Sequence, residues 1–142
     1  MKIQYPCTLA QLGDGKYYVS FFDFEGACGT GETLEEALLD AEDVLTLTLE
    51  SRIKEGVTIP PPRDRVHPGE RFIAPSPRVQ AALLVKLTRG DRTLSDLART
   101  LETSWPAASR LEDPSHWVTL KQLSKAATAL GQRLVLSFEK NG

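Results

Sequence analysis

The stretch from Thr93 to Asp113, TLSDLARTLETSWPAASRLED, constrains this chain most, because it places two helix starts and one helix stop close together. Thr93 is a good N-cap with Asp96 in the capping-box position three residues on, and Leu94, Leu97, Ala98 and Leu101 share one helical face. The pattern predicts a helix from about Leu94. Glu102 and Thr103 then break the apolar periodicity, Ser104 can cap a second helix, and Pro106 falls in its first turn, where a missing amide hydrogen costs little. Pro114 stops that helix near Asp113, since a proline ring cannot extend the ladder and pushes its predecessor out of helical geometry. The expectation is two short helices joined by a tight turn, the second polar along one side.

Leu97-Ala98, a turn, and Ser104-Trp105-Pro106-Ala107-Ala108-Ser109-Arg110 resemble the helix-turn-helix of the Xre and Cro type, with its Leu-Ala pair and its Ser-x-x-x-x-Ser-Arg start to the recognition helix. Thr119 to Gly131, TLKQLSKAATALG, looks like the following helix of that family. Two positions depart from the family: Leu94 stands where Gln is common, and Glu102 where the turn often has Gly. The resemblance implies that the second helix lies in the major groove with Trp105, Pro106, Ala107, Ser109 and Arg110 at the base edges. Arg110 would then pair with a guanine, Ser109 with either base, and Ala107 or the Trp105 ring with a thymine methyl. Arg89, Arg92 and Lys121 would hold phosphates, while Ala108 and Leu111 would face the core. The plainer alternative is a small helical domain with Arg110 solvated or paired to Glu112 or Asp113 and Trp105 packed inside.

Charge divides the chain. Residues up to Val66 carry a net −6 and those from His67 onward a net +4, within an overall −2, which suggests two domains with a basic partner for one and a polyanion for the other. The N-terminus is unlike a signal peptide and no apolar run approaches a membrane span, so a cytoplasmic protein with no membrane association is expected. Two cysteines, Cys7 and Cys28, and two histidines, His67 and His116, have no close spacing, which gives neither a metal site nor an expected disulfide. No cofactor is called for.

KIQYPCTLAQ and KYYVSFFDF, separated by Gly13-Asp14-Gly15, predict a hairpin, and Ala27 to Thr30 can add a short third strand. Thr33 with Glu36 forms a capping box for an amphipathic helix through Leu34, Ala37, Leu38, Ala41, Val44, Leu45 and Leu49. Gly56 is its natural stop, although Thr46, Thr48 and Ile53 are β-branched. Its acids Glu32, Glu35, Glu36, Asp40, Glu42 and Asp43 gather at the N-terminal end, where the helix dipole favours them. Prolines at 60 to 62, 68, 75 and 77 predict an extended connector, with Arg71 to Ala74 a candidate strand. The domains are therefore read as 1–59, a linker over 60–76, and 77–142. After Gly131, Arg133 to Glu139 alternates as a strand with no partner in a helical domain. It is expected to pair with the same strand of a second copy and bury Leu134, Leu136 and Phe138, or else to complete the N-terminal sheet.

Tyr17-Tyr18-Val19 through Phe24, Thr30-Gly31-Glu32-Thr33, Glu35-Glu36-Ala37, the proline-rich connector and the terminal Xre-like region together resemble the HicB antitoxins nearly end to end. The resemblance implies an α+β protein: a small antiparallel sheet with one packed helix, partial RNase H-like, then an all-α helix-turn-helix domain ending in a dimerisation strand. It implies an antitoxin that inhibits a small basic RNA-cleaving toxin, HicA, and represses its own operon by binding operator DNA, while the unpaired terminal strand predicts a homodimer or higher homo-oligomer. Glu25, Glu32, Glu35 and Asp40 are the candidate toxin contacts. Two competing readings use other features. A metal-dependent nuclease would need Asp14, Asp23, Glu25 and Glu32 to converge, yet no His or Lys stands near them as acid or base. A helix-turn-helix regulator would instead use the first domain to sense a ligand.

Overall fold

The structure is a computed structural model describing residues 1–140. Its chain forms two compact units, Met1–Gln80 and the residues from Ala81 onward. The first unit begins with β1 (Tyr5–Gln11) and β2 (Tyr17–Phe21), an antiparallel hairpin in register from Cys7 opposite Phe21 to Gln11 opposite Tyr17. The turn is built by Asp14, whose carboxylate accepts from the Lys16 amide at 2.9 Å and the Tyr18 hydroxyl at 2.7 Å, with Gly15 at φ 82°. Those bonds, Tyr18 first, hold the Asp14 carboxyl below its usual range. β3 (Cys28–Gly31) pairs with β2, and β4 (Glu70–Ile73) with β1, so the sheet order is β3-β2-β1-β4, antiparallel throughout.

Period-two alternation puts Tyr5, Cys7, Val19 and Phe21 on one buried face, and α1 (Leu34–Glu55) covers it with Ala37, Ala41, Leu45 and Leu49. Thr33 caps this helix by accepting from the Glu36 amide at 3.2 Å, and Gly56 ends it at φ 69°. The β-branched residues do not stop it: the Thr48 hydroxyl donates to the Val44 carbonyl within the helix, and the Thr46 hydroxyl accepts from the remote Ser76 amide. The helix lies so close on β3 that a Cβ at Gly29 would sit 2.5 Å from the Ala41 nitrogen, and one at Gly31 would meet Ala37 and Glu36. Only glycine fits there.

The stretch expected as a connector is laid on this unit. Beyond β4, the Tyr5 hydroxyl donates to the Pro60 carbonyl at 2.8 Å, Gln4 donates to the Arg63 carbonyl, and Arg63 bonds Asp23 at 2.5 Å. Prolines lack donors but keep carbonyls, which suits them to this acceptor role. The division between units falls inside α2 (Pro77–Arg89), later than the proline-rich stretch.

In the second unit, α2 is followed by α3 (Leu94–Thr100), α4 (Trp105–Arg110) and α5 (Leu120–Ala129). Val85, Leu97, Leu111, Leu123, Ala126 and Leu130 form its core. Thr119 and Gln122 make a full capping box for α5, and Gly90 and Gly131 take φ 57° and 74° where α2 and α5 end. The expected strand over 133–139 is not formed in the single chain. Residues 132–140 adopt neither helix nor strand, Leu134 rests on the core, and Leu136 and Phe138 are 64% and 105% exposed rather than buried. A lone strand has no partner for its amides, so nothing folds it back onto the helices. Nor does it complete the sheet, whose four strands all lie in the first unit.

Candidate functional site

In the second unit the site is a pair of capped helices. Thr93 accepts from the Asp96 amide at 3.0 Å to open α3, while the Asp96 carboxylate turns outward to Arg99 at 3.1 Å. Leu97 and Ala98 are buried, which fixes the helix by its apolar face. The turn closes with the Thr103 amide donating to the Ala98 carbonyl at 2.9 Å and with Glu102 at φ 54°. Ser104 then caps α4 by accepting from the Ala107 amide at 3.2 Å. Ala108 and Leu111 point into the core, so Trp105, Pro106 and Arg110 are left exposed and Ala107 and Ser109 half-buried. Trp105 is 52% exposed and is not a core residue. Of the five sequence candidates on α4, the structure thus leaves three exposed and two half-buried.

The phosphate candidates divide differently. Arg92 and Lys121 are exposed. Arg89 is not free to hold a phosphate: its guanidinium binds the buried Glu112 carboxylate in two bonds of 2.6 and 2.9 Å and also donates to the Arg92 carbonyl. Glu112 raises the Arg89 pKa further, and Arg110 is left without the Glu112 partner that the plainer reading allowed it. Arg89 ties α2 to the end of α4 and so positions the surface from beneath. The sequence could not reveal this, because a buried Arg-Glu pair 23 residues apart has no local signature. It also concealed Trp117. This residue is 72% exposed and, with His116 and Thr119, borders an open cleft of about 370 Å³ whose other lining includes Ala107 and Arg110.

In the first unit the toxin-contact candidates separate by what their carboxylates already bind. Asp40 accepts from the Thr30 amide at 2.8 Å and Glu36 from the Glu32 amide at 3.0 Å, so α1 carboxylates take one amide of the edge strand β3 and one just past its end. Asp40 is a structural residue here, and that edge is partly covered. Glu25 and Glu35 are exposed, and Glu32 lies 3.9 Å from Lys16. On the outer face of α1, Glu42 is pushed above the usual carboxylate range by partial burial and by neighbouring Asp43. The carboxylates considered for a nuclease do not converge: Asp14 makes the hairpin turn, Asp23 holds Arg63, and Glu25 sits in the turn after β2. Among the described residues no group of three or more His, Cys, Asp or Glu side chains could hold a metal ion, and no helix is long and apolar enough to cross a membrane.

An acidic helix clamped on a four-stranded antiparallel sheet, joined to a capped helix pair, defines the class: a two-part protein in which one unit presents acids and the other presents a capped helix with an exposed face. Comparison with known proteins then names the family. Residues 4–82 match the family model of the HicB-like antitoxins of bacterial toxin-antitoxin systems. Antitoxin HicB 1 of Photorhabdus laumondii is 30% identical over 139 residues, covering 96% of this chain and 88% of that protein. Antitoxin HicB of Escherichia coli K12 is 29% identical over 136 residues, covering 94% and 98%, and Antitoxin HicB 2 of P. laumondii 32% identical over 136 residues, covering 94% and 95%. This chain belongs to the HicB-like antitoxin family.

Proposed function

We propose that the first unit binds and silences a small basic RNA-cleaving toxin of the HicA type, and that the second unit represses the shared operon by reading operator DNA as a helix-turn-helix. The observation that carries the DNA reading is the outward surface of α4, where Trp105, Pro106 and Arg110 are exposed over a helix anchored by Ala108 and capped by Ser104. A recognition helix needs that combination of rigid seating and a free polar face. Ala107, Ser109 and Arg110 supply base contacts, and Arg92 and Lys121 supply phosphate contacts. The toxin reading is supported by family membership and by the exposed acids of the first unit, since acidic patches steer and orient basic partners. The extended segment over 133–139 pairs with its own copy in a second chain, which gives the two-fold symmetry that a palindromic operator requires.

A gel shift of the full chain on its own promoter region, at low salt and with and without toxin, tests the DNA reading. A discrete complex is expected. No complex under either condition removes it and leaves the helix pair as architecture only.

A further inference from the structure

On α1, Glu35, Leu39, Asp43 and Leu47 follow each other at intervals of four and therefore form a single straight ridge opposite the buried face of Ala37, Ala41, Leu45 and Leu49. Leu39 is 63% and Leu47 65% exposed, and the two stand roughly 12 Å apart along the axis. A helix that packs on one side has no internal need for large apolar side chains on the other, where a lone exposed leucine is ordinary but two on one ridge ask for a cover. Short of its last residue, Glu55, the acids of the helix separate into two groups. Glu36, Asp40 and Glu50 are already bound, to the Glu32 amide, the Thr30 amide and Arg78. Glu35, Glu42 and Asp43 have no ion pair among the described residues, and all three border Leu39 at helical spacings of three and four. Unpaired carboxylates thus border Leu39 on both sides, with Asp43 between it and Leu47, and they make the ridge repel a second copy of itself while favouring a cationic cover.

We infer that the Glu35-Leu39-Asp43-Leu47 ridge of α1, with Glu42 beside it, is the surface that docks the basic toxin: Leu39 and Leu47 enter apolar pockets, and Glu35, Glu42 and Asp43 pair with lysines or arginines around them. The inference rests on the toxin-neutralising reading above and adds its location. It retains Glu35 from the sequence candidates and replaces Asp40, which is committed to β3.

The test is a titration of the full chain with its HicA-type toxin by calorimetry at two salt concentrations, with folding of every variant checked by circular dichroism and oligomeric state by sedimentation. Wild type binds. Leu39→Ser with Leu47→Ser weakens binding by at least about thirtyfold, as expected for paired central anchors. Asp43→Lys weakens it and flattens its salt dependence, and serves where the double variant misfolds. Asp64→Asn, an exposed acid off the helix, leaves affinity within about twofold. If wild type binds and both ridge variants bind equally well, the ridge is not the docking surface and the antitoxin reading stands without it. If wild type does not bind, both fall. If the leucine variant changes the oligomeric state at unchanged toxin affinity, the ridge covers a second copy and the inference is overturned.

Discussion

At Glu102 the backbone adopts φ 54°, a left-handed conformation that costs an L-residue about 1–2 kcal/mol. The turn between α3 and α4 demands it, which gives a physical reason for the glycine that Xre-type turns often have there. Glu102→Gly should therefore raise stability by about 0.5–1 kcal/mol after the added freedom of the unfolded chain is subtracted, read as an upward shift in Tm with DNA affinity unchanged. Arg89→Ala should act in the opposite sense. It leaves the buried Glu112 carboxylate without its cation, a loss of about 3–5 kcal/mol in chemical denaturation, whereas Arg92→Ala on the surface should leave stability nearly intact. Cys7 gives a pH signature. Burial raises its thiol from 9.0 to about 11, against a smaller opposing effect of Arg71. Below pH 9 both states keep the proton, so the contribution is complete there; above it the unfolded chain alone releases it and stability falls by about 1.4 kcal/mol per pH unit until the folded thiol titrates. An alkaline denaturation series with Cys7→Ala as reference checks the sign. These three residues also mark the limit of what a sequence discloses. Glu102 was visible as a departure from a pattern, Cys7 as an apolar strand position, and Arg89 was misread as a surface cation because its partner is remote in the chain.

Elements were more legible than side chains, since they follow from short-range rules. The hairpin turn, the Thr33 cap, the Gly56 stop and the Thr93 and Ser104 caps all lie in local spacing, and each occurs where that spacing places it. The packing of α1 against β3 was not legible, because the Gly29 and Gly31 contacts depend on two elements meeting. Nor was the fate of the proline-rich stretch, whose bonds to Tyr5, Gln4 and Asp23 span 40 residues or more. For α4 the expected outcome is a division of labour. Arg110→Ala should cost about 1–3 kcal/mol in operator binding and relax preference at one base pair per half-site, while Arg92→Ala should weaken all sequences and lower the salt slope by about one. Binding titrations over a panel of single-base operator variants at several salt concentrations separate the two. Equal losses on every sequence for both variants would mean that Arg110 is a backbone contact.

At the scale of the whole molecule, the proposed pairing of two copies rests on the segment past Gly131, where Val135, Leu136 and Phe138 are exposed in the single chain and Leu134 is held on the core. A chain truncated after Gly131 should sediment as a monomer and lose operator affinity while still binding toxin through the first unit. A truncated chain that remains dimeric would place the dimer contact elsewhere. The sheet of the first unit carries a different kind of consequence. One margin, β3, has its Thr30 amide taken by Asp40 and the Glu32 amide just past its end taken by Glu36, and the other margin is β4. The β3 margin thus has an obstacle to strand addition built into it, which leaves β4 as the side from which stray edge-to-edge contact between two such molecules would start.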